Sequence, residues 1–174
     1  MTAVRGAPVV SIELEFDAAT ERAVRAEWQA LADAGLSSLA AHTSPSNAPH
    51  VTLLVRPAVT LARVPLPAAF PVRLGAVALF GAGERRVLAR SVVPSAEMLA
   101  LHAAVHEAAG AGDDAPHTAP GEWMPHVTLA RRIKVSDLER ALPLLGDPIL
   151  GTARGLRRWD AASATVTSLG EFGG

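Results

Sequence analysis

The sequence predicts an α+β fold with largely antiparallel sheets, built as two similar lobes that face each other. Three observations predict it. Segments with strand character outnumber those with helical character. Several neighbouring strands are joined by short turns, as in hairpins. The five letters PHVTL occur twice, at 49–53 and 125–129, as if one structural unit had been written in each half.

Each element has a local reason. Residues 9–16 (VVSIELEF) are rich in β-branched residues and alternate near their end, so they read as a strand. Asp17 is placed to cap a helix, with Glu21 in its first turn. Val24, Trp28, Leu31 and Ala32 continue at helical spacing to about Gly35. Residues 42–49 are turn-rich and read as a loop, and 50–56 as a strand. Four prolines make 57–71 a connector. Residues 72–80 and 86–93 are strands joined by Gly81-Ala82-Gly83. Ser95 caps a helix to about Ala109, and 110–121 is a polar loop. A strand over 123–132 carries the second PHVTL. A helix from Ser136 or Asp137 ends near Gly146, and strands at 150–159 and 162–169 close the chain.

No sharp linker divides the 174 residues, so 1–174 is expected to be a single bilobal domain. Hydrophobic content of 49% allows a sizeable core, although much of it is alanine. No apolar run is long enough to span a bilayer, and Glu13, Glu15 and Asp17 interrupt what a leader would need apolar. The expected location is therefore the cytoplasm, with no membrane contact. Cysteine is absent, which excludes disulfides, a thiol nucleophile and thiolate metal sites. A net charge of −1 argues against gripping a long duplex, which calls for a large positive excess.

PHVTL has a physical reading of its own. Side chains alternate along a strand, so His50 and Thr52 share one face while Val51 and Leu53 share the other. His126 and Thr128, and Val127 and Leu129, repeat the arrangement. The apolar pair anchors the strand; the imidazole and hydroxyl project from it. Proline suits the first position of a strand because it has no N–H to donate. Histidine both gives and takes a proton near neutral pH. Two of them on opposite sides of a phosphorus divide the work, one as base for the attacking oxygen and one as acid for the leaving oxygen. The threonine hydroxyls are suited to the non-bridging oxygens. Such a site needs no metal and no cofactor.

Two His-x-Thr motifs with identical flanks at this separation resemble the 2H phosphoesterase superfamily. The form P-H-V-T-L, followed in the second copy by Ala130-Arg131 and preceded by Trp123, looks most like its 2′-5′ RNA ligase / 2′,3′-cyclic nucleotide phosphodiesterase branch. The resemblance covers most of the chain. It implies two pseudo-symmetric lobes with helices packed outside and an active-site cleft between them. It implies hydrolysis of 2′,3′-cyclic phosphate nucleotides or RNA ends, or joining of 2′-5′ RNA linkages. The matching positions are His50 and His126 as catalytic groups and Thr52 and Thr128 at the phosphate. Arg131 is a phosphate ligand by resemblance. Strict alternation instead puts Arg132 on the His126 face, and Arg56 holds the corresponding place in the first copy. The partner is then a small nucleotide or an RNA end carrying a cyclic phosphate; no protein partner is implied and a monomer is expected. The competing reading is a non-catalytic RNA- or nucleotide-binding module on the same fold.

Other residues have plainer readings. His102 and His106 stand four apart on a helix, but the H-E-x-x-H order is missing and no further ligand is evident; a solvated helix face is expected. A metal-dependent hydrolase using these and His42 is the weakest alternative. His42 and His117 lie in the loops before the two motifs, where exposed histidines are ordinary. Asp113-Asp114 beside Gly112 reads as a turn, Trp28 as core, and Trp123 as packing between sheet and loop.

Overall fold

The computed structural model describes residues 8–174. Residues 1–7 of the expected domain lie outside the described residues. Seven strands form one antiparallel sheet. They are β1 (Val10–Phe16), β2 (His50–Arg56), β3 (Phe70–Phe80), β4 (Arg85–Val92), β5 (His126–Lys134), β6 (Ile149–Asp160) and β7 (Thr165–Glu171). The hydrogen-bonded order is β2-β1-β6-β3-β4-β5, with β7 also on β6. The long β6 pairs with β1 along one edge. Its other edge is shared by β3 at Ile149–Ala153 and β7 at Gly155–Asp160. The motif strands β2 and β5 are thus the two ends of the order, yet they touch each other. The sheet bends enough to bring its ends together.

Helix α1 (Ala18–Asp33) starts where expected. Asp17 caps it by accepting from the Thr20 N–H at 2.8 Å, and Val24, Trp28 and Leu31 are buried beneath it. Helix α2 (Ala96–Ala109) is capped by Ser95. The core runs continuously through Ile12, Leu14, Trp28, Leu53, Leu74, Leu88, Leu129, Ile133 and Leu156. Among the described residues no helix is long and apolar enough to cross a membrane.

Two expectations about elements are corrected. The helix expected to run to Gly146 is a single α-turn, α3 (Leu138–Ala141), between 3₁₀ turns. Pro143 stops it, since proline offers no N–H to the preceding turn. The last strand begins at Thr165 because 161–164 form a turn, held by the Asp160 carboxylate accepting from the Ala162 and Ser163 N–H groups.

Candidate active site

The two motifs begin their strands in the same way. His50 opens β2, and its Nδ1 lies 2.8 Å from the Ala48 carbonyl; His126 opens β5, and its Nδ1 lies 2.7 Å from the Met124 carbonyl. A carbonyl only accepts, so the His126 Nδ1 carries the proton; the His50 Nδ1 meets both the Ala48 carbonyl and, at 3.2 Å, the Arg157 guanidinium, which only donates. That assigns the tautomer of the neutral His126 ring and leaves Nε2 as its basic nitrogen. In each case the proline between carbonyl and histidine has no N–H to compete for that contact.

The motifs also share a break in register. Glu13 pairs with Thr52 and Ile12 with Leu54, so Leu53 has no partner on β1. Ala89 pairs with Thr128 and Leu88 with Ala130, so Leu129 has none on β4. Each is a β-bulge, one extra residue that turns the strand and resets its alternation. The leucine of PHVTL is the bulged residue both times, and two consecutive residues are buried: Leu53 with Leu54, and Leu129 with Ala130.

This corrects the parity expectation for the arginines. Past the bulge, Arg131 falls on the His126 side and joins the lining of the hollow between the motifs; Arg132 is exposed and lines no part of it. Arg56 is directed away from the motif face and is buried. Its Nε donates to Asp114 Oδ1 at 2.6 Å, and its other nitrogens donate to the Ala109 and Gly110 carbonyls. Asp114, expected in a simple turn, anchors this pair.

The hollow has a volume of about 470 Å³, within the range of small-ligand sites. His50, Thr52, His126, Thr128 and Arg131 line it, together with Phe80, Met124 and His117. It adjoins a second hollow across His50 and Arg131, bounded by His42, Asn47 and Trp159. Both loop histidines therefore border the site.

The two imidazoles differ in surroundings. Beside His50, the neighbouring strands supply a buried ion pair. Arg157 on β6 donates through Nε to Glu13 Oε2 at 2.7 Å, Ser11 donates to Glu13 Oε1 at 2.6 Å, and that same oxygen is 3.5 Å from His50 Nε2. Burial pushes the Glu13 carboxyl up, but the charges of His50 and Arg157 and the two hydrogen bonds outweigh it and hold it below its usual value. Glu13 is ionised at neutral pH. The matching places beside the second motif are Ala89 and Ser91. Instead, the Phe80 ring lies 4.5 Å from that of His126. Burial pulls the His126 imidazole below its usual value, and His117 and His50 act the same way; the Met124 hydrogen bond opposes them.

His102 and His106 correct another expectation: they are buried, not solvated. Their Nε2 atoms meet the Thr118 and Leu53 carbonyls, and the His102 ring stacks on Trp123 at 4.0 Å. Among the described residues no three His, Asp or Glu side chains converge as metal ligands would.

Residues 16–170 match the family described as the 2′-5′ RNA ligase superfamily. The chain belongs to this superfamily of 2H phosphoesterases. Among solved structures it is similar to Usb1 of Kluyveromyces marxianus, with a TM-score of 0.52 at 13% identity over 92% of this chain and 97% of that one. A second structure of that protein, with uridine monophosphate, gives 0.50 at 14% identity over 94% and 97%. At such identity the likeness is one of fold. Among curated proteins none matches this chain. Within the 2′-5′ RNA ligase superfamily frame, sequence reasoning missed Glu13, Arg157 and Phe80. Ser11, Glu13 and Glu15 do alternate with apolar residues along β1, which marks one polar face. Their closeness to His50 depends on which strands flank β1, and spacing does not carry that.

Proposed function

We propose that this protein is a metal-independent phosphoesterase that hydrolyses 2′,3′-cyclic phosphate nucleotides or RNA ends carrying that group. One observation carries the reading: two His-x-Thr motifs and Arg131 converge on one nucleotide-sized hollow. Water attacks phosphorus while one imidazole takes its proton through Nε2; the other, protonated, gives its proton to the departing ribose oxygen. The Thr52 and Thr128 hydroxyls and the Arg131 guanidinium meet the non-bridging oxygens, where negative charge grows in the transition state. The uridine monophosphate in the Usb1 structure supports an occupant of this size. With the 5′-hydroxyl of a second RNA end attacking in place of water, the base takes that hydroxyl's proton, the P–O3′ bond breaks with its oxygen protonated by the acid, and the same ring opening joins two ends through a 2′-5′ linkage.

The surroundings favour a division of labour. His126, whose proton affinity burial lowers, is the base; His50, whose Nε2 lies 3.5 Å from the Glu13 carboxylate, takes the part of the acid. A base whose proton affinity is lowered stays neutral to lower pH. The acidic limb of kcat/KM therefore lies below the usual imidazole range, and the profile is bell-shaped. An acidic limb above that range would refute the assignment. Glu13→Gln removes the anion 3.5 Å from His50 Nε2 and leaves the Arg157 guanidinium facing the same ring, so kcat/KM falls while the acidic limb, set by His126, stays. Movement of the acidic limb alone would reverse the two roles. The direct test is turnover of the four 2′,3′-cyclic nucleotides in a chelator; activity that disappears with the chelator and returns with a metal would end the metal-free reading.

A further inference from the structure

The motif strands are the outermost strands of the sheet, so each has one edge with no strand beside it. Main-chain carbonyls on such an edge need other donors. At both motifs the threonine carbonyl finds an indole. Trp123 Nε1 donates to the Thr52 carbonyl at 2.9 Å, and Trp28 Nε1 donates to the Thr128 carbonyl at 3.1 Å. The donors are crossed. Trp28 stands on α1 in the first half and holds the second motif; Trp123 stands just before the second motif and holds the first. Both are themselves fixed. Ser38 Oγ donates to the Trp28 carbonyl at 2.5 Å, and the Arg25 guanidinium sits 5.4 Å from the Trp28 ring centre. The Trp123 ring lies flat against His102, which is tied in turn to the Thr118 carbonyl.

We propose that Trp28 and Trp123 are positioning residues, a reciprocal pair of indole donors that sets the spacing of the two His-x-Thr strands and so the alignment of the two imidazoles across the phosphorus. No strand ladder joins β2 to β5, so hydrogen bonds reaching each from the other half are what register one against the other. The carbonyl held lies on the residue whose hydroxyl faces the phosphate, two positions from the histidine, and the bulge follows at once. A displacement there is carried straight to the imidazole. This inference rests on the proposed reaction.

Trp28→Phe and Trp123→Phe keep an aromatic ring and remove the donor. Displacing reacting groups by ~1 Å costs up to ~10²-fold, so each variant is expected to lose about tenfold or more in kcat, with KM held within about twofold. The double variant loses little beyond either single one, because both act on the same separation. If phenylalanine prevents folding, benzothienylalanine at the same position preserves the bicyclic shape and removes only the N–H. A second readout needs no turnover. The imidazole resonances of His50 and His126 are followed by NMR, with and without inorganic phosphate. The expected pattern is crossed: the Trp28 variant disturbs His126 and the Trp123 variant disturbs His50. Unchanged kcat with unchanged resonances overturns the proposal, as does equal disturbance of both histidines that merely tracks a lower Tm. If the wild type turns over no cyclic nucleotide, the proposed reaction fails, and the crossed pattern still decides whether the clamp exists.

Discussion

Replacing His126 by alanine lowers kcat/KM for a 2′,3′-cyclic nucleotide by about 10²–10⁴-fold, the range of one positioned acid or base, and replacing His50 does the same. The two losses do not add. With one imidazole gone, the other has no partner for the coupled proton transfer, so the double variant sits close to the single ones. Neither change leaves a buried group stranded. Each imidazole is only partly buried, and the lost Nδ1 contact exposes a carbonyl at the mouth of the hollow. Stability therefore changes little, and the loss is one of chemistry. Steady-state kinetics beside a thermal melt separates the two. Wild-type turnover in either alanine variant removes the two-histidine mechanism outright.

The second large effect falls on stability. Replacing Glu27 by leucine destabilises the protein by about 3–5 kcal/mol, the cost of stranding one member of a buried ion pair. Glu27 on α1 receives Arg90 of β4 through two guanidinium nitrogens, one at 3.1 Å, and also accepts from the Gly146 N–H at 3.2 Å. Arg90 further donates to the Gly75 carbonyl at 3.0 Å and the Gly146 carbonyl at 2.6 Å. Both side chains are almost fully buried. Without the carboxylate, Arg90 keeps its charge in a dry place and loses its counter-ion. Replacing both partners by apolar residues of similar size recovers most of the loss, because it is the unpaired charge that costs most. Equilibrium denaturation measures this; a loss below about 1 kcal/mol would place the pair with the weak surface bridges.

Much of this was legible in the sequence, and the misses share a cause. Strands, two helices and their caps followed from local pattern: Asp17 and Ser95 cap as their types dictate. The motif residues followed because identical flanks give His and Thr one face. Arg131, Arg132 and Arg56 did not follow from alternation, because alternation holds only while the ladder is regular. A bulge at Leu53 and at Leu129 is set by the opposing strand. Glu13, Arg157 and Glu27 are long-range cases, since each meets its partner only after distant strands or helices pack. His102 and His106 were misread because a helical spacing says which residues share a face, not what covers it; the loop carrying Thr118 and Trp123 covers this one.

The sheet order also bears on how the protein is made. The two motif strands are neighbours in space but lie at opposite ends of the ladder, with β1, β6, β3 and β4 between them. β6 enters late in the sequence and joins the two groups of strands. A nascent chain that has already exposed both PHVTL segments still lacks the strand that joins them. In the finished fold the hydrogen-bonded ladder from one imidazole to the other therefore runs through β6, the last strand but one of the sequence. Neither half produced alone carries both His-x-Thr motifs.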